Sequence, residues 1–233
     1  MSNPYFRFKQ FTVYHDLCAM KVGVDGVLLG AWADCRNIQF AMDVGTGSGL
    51  IALMLAQRSH ALIHAIDIDE NACKQAEINF SNSPFHSRLS IESVAFQNFS
   101  SSVRYDLIVS NPPYFAQSLK SPDANRSLAR HDEYLPLDVL IEKSASLLNP
   151  QGKAAFILPF DRWEKAQASA LENRLFLCRK TLVSSLQDLP PKRVLLEYSL
   201  TNQGATEENS FYIGNEKQNY SKEYRALTEE FYL

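Results

Sequence analysis

Three glycines alternate with other residues in the segment Asp43-Val44-Gly45-Thr46-Gly47-Ser48-Gly49, where an apolar run gives way to helical spacing. Glycine lets the backbone turn sharply and approach a ligand closely, and a helix N-terminus offers unpaired N–H donors. The spacing is GxGxG rather than the GxGxxG of dinucleotide-binding turns, because Leu50 stands three positions after Gly47. The segment therefore predicts a turn that wraps a ligand other than a dinucleotide.

An acid, Asp67, stands eighteen residues after Gly49, at the end of the next apolar run. A carboxylate at this place in an α/β fold can accept hydrogen bonds from both ribose hydroxyls. Together, the glycine turn and the acid predict a nucleoside site. Each feature taken alone would also suit an ordinary turn or a surface acid.

The tetrapeptide Asn111-Pro112-Pro113-Tyr114 follows a third apolar run. Its prolines restrict the backbone, so the Asn111 side-chain oxygen and the Pro112 carbonyl can face one spot as two acceptors. Two acceptors suit an NH2 group that donates two hydrogen bonds. The nitrogen lone pair of such a group is normally delocalised into a ring or carbonyl, and hydrogen bonds from both N–H groups to the acceptors free it for attack. Tyr114 offers a face for a planar substrate. Without its neighbours, the tetrapeptide would be an ordinary loop signal.

The elements that must position these residues are strand-like runs alternating with helical stretches. Such a βαβαβ succession predicts an α/β fold with a parallel sheet, helices on both faces, and ligands beyond the carboxyl ends of the strands. The final strand-like segments predict antiparallel strands that finish the sheet. Predicted strands are 40–44, 62–66, 89–94, 106–110, 153–158, 176–186, 193–200 and 210–213, and predicted helices are 49–58, 71–80 and 137–148.

The glycine turn, Asp67 and Asn-Pro-Pro-Tyr together resemble the Rossmann-like S-adenosylmethionine-dependent amino-methyltransferases. The resemblance implies that the turn wraps the methionine half of the cofactor, the acid holds the ribose, and the tetrapeptide grips the target amine. It implies catalytic roles for Asn111, Pro112, Pro113 and Tyr114. It implies cofactor contacts for Asp43, Gly45, Thr46, Gly47, Gly49, Asp67, Ile68, Ala95, Phe96 and Asn111.

Segments near both ends of the chain resemble one particular family of amino-methyltransferases. Residues 6–32, which include the stretch KVGVDGVLLGAW, and residues 211–233 are similar to bacterial tRNA(Val) (adenine-N6)-methyltransferases, which modify the adenine 3′ of the anticodon. The implied partner is therefore a tRNA anticodon stem-loop. The family places Lys21 and Asp25 near the cofactor, although a surface lysine and a helix N-cap are equally compatible with these two residues.

The expected architecture is a Rossmann-like, mostly parallel sheet of seven strands with helices on both faces and an antiparallel C-terminal strand. Residues 1–36 are expected to form an N-terminal extension packed on a methyltransferase domain of residues 37–233. One departure concerns the adenine of the cofactor. Relatives often carry an acid after the third strand, whereas this chain has Ser93-Val94-Ala95-Phe96-Gln97, so packing against Phe96 or Ile68 and backbone groups would have to hold the ring.

Two other functions remain open from the residues alone. Asn-Pro-Pro-Tyr also serves planar amides, so the acceptor could be a glutamine side chain in a protein, methylated on N5. A nucleotide-binding module without catalysis would need only the glycine turn and the acid. We expect no metal site and no covalent intermediate, because the five histidines and four cysteines form no metal-binding pattern and no GxSxG occurs. No obligate protein partner is indicated.

Composition sets the class of protein. The 233 residues are 45% hydrophobic and contain no run of about 20 apolar residues that would indicate a membrane span. The first eleven residues have no export-signal pattern, so we expect a cytoplasmic protein.

The net charge is −3, and residues 203–233 account for it with six Glu against three basic residues. Any RNA contact must therefore come from local patches. The candidates are Arg7, Lys9 and Lys21; Arg179, Lys180, Lys192 and Arg193; and the loop 115–135 with Arg126 and Arg130. Each could equally be ordinary solvated surface.

Overall fold

The computed structural model describes residues 3–18, 20–112, 135–214 and 220–233. The predicted site residues Pro113 and Tyr114 lie outside the described residues, as does the loop 115–134 with its two arginines. No helix within the described ranges is long and apolar enough to cross a membrane.

Ten strands and six α-helices form the described part of the chain. The strands are β1 Tyr5–Arg7, β2 Thr12–Tyr14, β3 Phe40–Val44, β4 Leu62–Asp67, β5 Leu89–Ser93, β6 Tyr105–Ser110, β7 Leu148–Pro159, β8 Phe176–Ser184, β9 Arg193–Ser199 and β10 Glu207–Tyr212. The helices are α1 Val24–Trp32, α2 Leu50–Arg58, α3 Glu70–Ser81, α4 Leu137–Leu147, α5 Trp163–Glu172 and α6 Lys222–Thr228.

The central sheet has the order β10-β8-β9-β7-β6-β3-β4-β5, and β1 pairs with β2 in a separate hairpin. All neighbours from β7 to β5 are parallel, whereas β9 is antiparallel to both β7 and β8. The α/β class and the mostly parallel sheet are therefore confirmed.

The strand number is wrong, because the described sheet has eight strands rather than seven. The predicted antiparallel C-terminal strand is present as β9, but the final strand, β10, pairs parallel with β8. Helix α5 returns the chain so that β8 runs with β7, and β9 then inserts between them in the opposite direction. The exposed polar residues at the start of β10 carry no apolar alternation from which its pairing could be predicted.

The central strands are apolar because helices cover both faces of the sheet. Along β6, Leu107 and Val109 join the core beneath α1 and α2, while Ile108 joins the core on the α4 and α5 side. Helices α1 and α2 pack closely at Gly30, where an added Cβ would lie 2.7 Å from the Met54 sulfur. Phe8, Phe11 and Val13 of the N-terminal segment are buried in the first core. The division of the chain at residue 36 stays a prediction.

Asn79 attaches the N-terminal segment to the glycine turn. It is 1% exposed, and its amide accepts from the Tyr14 backbone N–H (2.9 Å) and donates to the carbonyls of Tyr14 and Ser48 (both 2.8 Å). One turn earlier in α3, Gln75 accepts from the Leu17 N–H at 2.9 Å. These two buried amides hold residues 14–17 along α3, so the chain that follows is carried toward the carboxyl ends of the strands.

Asn79→Ala should destabilise the fold by about 2 to 4 kcal/mol, because it leaves the buried Ser48 carbonyl and the part-buried N–H and carbonyl of Tyr14 without their partner. Chemical denaturation measures this free energy of unfolding, with Glu77→Ala on the exposed face of α3 as the matched control. We expect the control to change stability by no more than about 0.5 kcal/mol. Equal stability of the two variants would contradict the bridging role of Asn79.

Candidate functional site

The carboxyl ends of the parallel strands bring the predicted site residues to one edge of the sheet. The glycine turn follows β3, Asp67 ends β4, and Asn111 follows β6. Because β3 lies between β4 and β6, these three features come from neighbouring strands. Ligands of open α/β sheets bind at this edge.

The three glycines have positive φ values of 70°, 56° and 81°, but they serve different purposes. An added Cβ at Gly45 or Gly47 would meet nothing within 4 Å, so these positions face open space and require glycine for their backbone conformation. At Gly49 an added Cβ would lie 2.5 Å from the Phe80 ring. Gly49 lines neither cavity described below, and its contact with α3 accounts for the third glycine.

Asp43 stabilises the turn from beneath. Its side chain is fully buried, and Oδ2 accepts from the Thr46 hydroxyl at 2.6 Å and from the Ala52 N–H at 3.1 Å. The other oxygen, Oδ1, has no hydrogen-bond partner within the described residues. Burial raises the pKa of Asp43 to about 7. Asp43 therefore couples the turn to the first turns of α2, and it lines neither cavity.

Asp67 joins the end of β4 to the glycine turn. Its carboxylate accepts from the Gly47 N–H at 2.8 Å and from the Asp69 N–H at 3.0 Å, and Asp69 in turn caps α3 through the Asn71 N–H. Burial raises the pKa of Asp67 despite these hydrogen bonds. The carboxylate stays partly exposed on a cavity wall, where hydroxyl donors can reach it.

A cavity of about 180 Å³ lies beside Asp67. Apolar side chains supply most of the wall opposite the glycine turn, so the cavity suits a flat ring at one end and hydroxyl groups at the acid. The predicted cofactor residues that line this cavity are Gly45, Gly47, Asp67, Ile68, Ala95, Phe96 and Asn111. Sequence reasoning missed Cys18, Met20, Asp69, Gln97 and Leu135, which also line it.

A second cavity of about 330 Å³ opens on the other side of the turn. It shares Met20, Gly45, Gly47 and Asn111 with the first, so the two cavities form one cleft that meets at Asn111. The predicted residues on its own wall are Lys21, Asp25, Thr46 and Pro112. The first turn of α1 and the chain before it thus complete the site.

Arg193 was not predicted as a site residue, although it lines the second cavity. Its Nε donates to Asp25 Oδ2 at 2.7 Å. Arg193 opens β9 opposite Pro159, the last residue of β7, so the antiparallel pairing brings it to the carboxyl edge. The only sequence signal was its place in a basic patch.

Two other members of the basic patch that contains Arg193 form ion pairs. Arg179 donates to the buried carboxylate of Glu197 at 2.9 Å and lies over the Trp32 ring at 3.7 Å, and Lys180 pairs with Glu208. In the N-terminal patch, Lys9 donates to the Glu229 carbonyl, whereas Arg7 is exposed. The RNA contacts predicted for Arg7 and Lys9 stay predictions.

Comparison with known proteins places the chain among methyltransferases. Residues 28–158 match the family model described as "Methyltransferase small domain". Proteins named tRNA1(Val) (adenine(37)-N6)-methyltransferase are 49% identical in Parabacteroides distasonis and 47% identical in Phocaeicola vulgatus, each over 100% of this chain and 99% of the relative.

Solved structures agree on the fold. A predicted O-methyltransferase from Agrobacterium tumefaciens superposes with a TM-score of 0.67 at 14% identity, covering 89% of this chain and 96% of that one. The glycopeptide N-methyltransferase MtfA, solved with S-adenosyl-L-methionine, gives a TM-score of 0.58 at 11% identity, covering 78% and 90%. At these identities the likeness is evidence of fold alone.

The raised pKa of Asp43 makes a prediction about stability. Between about pH 4 and the Asp43 pKa of about 7, the folded protein holds a proton that the unfolded chain has released. The contribution of Asp43 to the free energy of unfolding therefore falls as pH rises through this window. Asp43→Asn keeps an acceptor for Thr46 and Ala52 but cannot ionise.

Denaturant unfolding of both proteins across this pH window is the measurement. Relative to the variant, the parent should lose on the order of 1 kcal/mol per pH unit. Other titrating groups are common to both proteins and cancel in the difference. Parallel stability curves for parent and variant would mean that Asp43 is ionised throughout.

Proposed function

The chain belongs to the tRNA1(Val) (adenine(37)-N6)-methyltransferase family, and on this premise we propose that it transfers a methyl group from S-adenosylmethionine to the N6 amine of adenine 37 in tRNA(Val). The observation that carries the proposal is the cleft whose two halves meet at Asn111. One half suits a nucleoside and the other is open to an acceptor. Asn111 stands between them.

The cleft fits the proposed cofactor. The partly exposed Asp67 carboxylate would accept from the ribose hydroxyls, and the apolar wall at Ile68 and Phe96 would pack against adenine. Open space beside Gly45 and Gly47 leaves room for the methionine half along the turn. Ala95 and Phe96 begin a short 3-10 turn whose backbone, with the side-chain amide of Gln97, would replace the missing acid as polar partners of adenine.

When bound, S-adenosylmethionine supplies an electrophilic methyl group on a sulfonium. The chain's own contribution is to hold the amine in line with that group and to activate it. The Asn111 side-chain oxygen and the Pro112 carbonyl would accept hydrogen bonds from the two N–H groups of the adenine amine, and this frees the nitrogen lone pair for attack. Two fixed acceptors favour the charge that develops on nitrogen, so no covalent intermediate and no metal are needed.

The acceptor proposed is the anticodon loop of a tRNA, because protein readout of RNA targets unstacked bases that can turn outward. Pro113 and Tyr114 complete the motif in the sequence, and we retain the prediction that Tyr114 stacks on the target base. The proposed place of action is the cytoplasm, without an obligate protein partner.

Nucleoside analysis of tRNA tests the acceptor. Cells that lack the protein should lose N6-methyladenosine from tRNA(Val), and the purified protein should restore it with labelled cofactor. Parallel incubation with a protein extract tests glutamine methylation. Label in protein rather than tRNA would favour the glutamine acceptor, and cofactor binding without transfer to either would favour a non-catalytic module.

Asp67→Asn should weaken binding of S-adenosylmethionine by about 1.5 to 3 kcal/mol, because a neutral amide replaces the charged acceptor of the ribose hydroxyls. Calorimetry measures the affinity, with the exposed acid Asp138 in α4 changed to Asn as the matched control. In the parent, affinity should fall as pH drops through the raised pKa of Asp67, since protonation removes the acceptor charge. Unchanged affinity in Asp67→Asn would remove the ribose role of Asp67. Tight binding of NAD with no response to S-adenosylmethionine would overturn the assignment of the cofactor site.

Asn111→Ala removes one of the two acceptors while both prolines stay in place. Loss of one preorganised transition-state contact should slow methyl transfer by about a hundredfold to a thousandfold. Single-turnover methylation of purified tRNA gives this rate, and calorimetry run in parallel should show a far smaller change in cofactor affinity. Asn111→Asp, which keeps an oxygen acceptor, should retain more activity than Asn111→Ala.

The exposed Asn209→Ala on β10 is the matched control and should transfer at the parent rate. If Asn111→Ala also reaches the parent rate, another group holds the amine, and the two-acceptor mechanism fails.

A further inference from the structure

Arg193 and its partner Asp25 line the second cavity on the side of Asn111 away from the nucleoside half. Along the carboxyl edge the order is β4, β3, β6, β7 and β9, so Asp67, the glycine turn, Asn111, Pro159 and Arg193 follow one another. The nucleoside half of the cleft lies at the β3, β4 and β5 ends. Arg193 lies two strands beyond Asn111 in the opposite direction, about 10 Å at the usual strand spacing.

Arg193 has a fixed orientation and hydrogen-bonding capacity to spare. Its Nε donates to Asp25 at 2.7 Å and its Nη1 to the Lys192 carbonyl at 3.1 Å. Among the described residues, nothing accepts from Nη2, and 38% of the side chain is exposed. With Nε and Nη1 engaged, Nη2 is the nitrogen that the described residues leave to bind a ligand.

The charge around Arg193 favours an anion. Lys21, Asp25 and Arg193 are the charged residues on the described wall of the second cavity, two of them basic and one acidic. The Asp25 carboxylate offsets part of the positive charge, so its main effect is to orient the guanidinium. Arginine binds phosphate through paired N–H donors, which makes direction as important as charge.

We propose that Arg193 binds a backbone phosphate of the RNA strand next to the target adenine. The inference rests on the proposed function, because it takes the base to lie at Asn111 and Pro112. A nucleotide whose amine is held there can carry its sugar and phosphate away from the nucleoside half of the cleft, toward β7 and β9. The distance of about two strand spacings is one that a single nucleotide can bridge.

The test compares tRNA binding by Arg193→Gln, Arg193→Lys and a matched control, Arg104→Gln. Arg104 is exposed and directly precedes β6, so it lies at the opposite edge of the sheet. Arg193→Gln should weaken tRNA binding about tenfold, and the slope of log affinity against log salt should become shallower by about 0.7 to 1. Arg193→Lys should keep most of the slope, and Arg104→Gln should match the parent in both measurements.

Binding of S-adenosylmethionine, measured by calorimetry without RNA, separates the two sources of an oxyanion. Affinity within about twofold of the parent in Arg193→Gln supports a phosphate as the ligand. A loss of about tenfold in cofactor affinity, with tRNA binding unchanged, would assign Arg193 to the cofactor carboxylate and overturn the proposal.

Two further results would also count against the proposal. An equal loss of tRNA binding in Arg104→Gln would mean that the loss follows from the change in net charge and not from the position of Arg193. If the parent protein binds and methylates no tRNA, the proposed function fails along with this inference. Normal methylation by the parent with parent-like binding by Arg193→Gln overturns the inference alone.

Discussion

The parallel alignment of β3, β4 and β6 is the constraint on which the site depends. Parallel strands end at the same edge of the sheet, so three chain segments far apart in sequence deliver a glycine turn, an acid and an asparagine to one cleft. Helices on both faces make this arrangement possible, because they bury the apolar side chains that parallel strands carry on each side. The pairing of the strand backbones thus sets the positions of the site residues, and neighbouring strand ends place their side chains close together.

Buried polar groups then fix the shape of the turn. Asp43 connects it to α2, the Asp67 carboxylate accepts from Gly47, and Asn79 holds the carbonyl of Ser48. Burying a carboxylate such as Asp43, one of whose oxygens has no partner among the described residues, costs stability, and the raised pKa of Asp43 reflects this cost. The same hydrogen bonds keep Gly45 and Gly47 in left-handed conformations beside open space. The buried carboxylate thus lowers the stability of the fold while it holds the glycine turn in a conformation that leaves space for a ligand.

The N-terminal segment is part of the cleft rather than an appendage. Asn79 and Gln75 guide residues 14–17 along α3, and the chain then contributes Cys18 and Met20 to one cavity and Lys21 and Asp25 to the other. On the far side, the insertion of β9 between β7 and β8 brings Arg193 to Asp25. The second cavity is therefore assembled from N-terminal and C-terminal segments of the chain.

The sequence by itself determined the strands that carry the site and the residues at their ends. The predicted strand 40–44 agrees with β3, and those at 62–66 and 106–110 differ from β4 and β6 by one residue each, because buried parallel strands leave short apolar runs bounded by turn residues. Only the tertiary structure decided that Gly49 packs against Phe80, that β10 joins β8 in parallel, and that Arg193 faces the cleft. These three outcomes depend on contacts between distant segments, and such contacts leave no periodic pattern in the sequence around either partner.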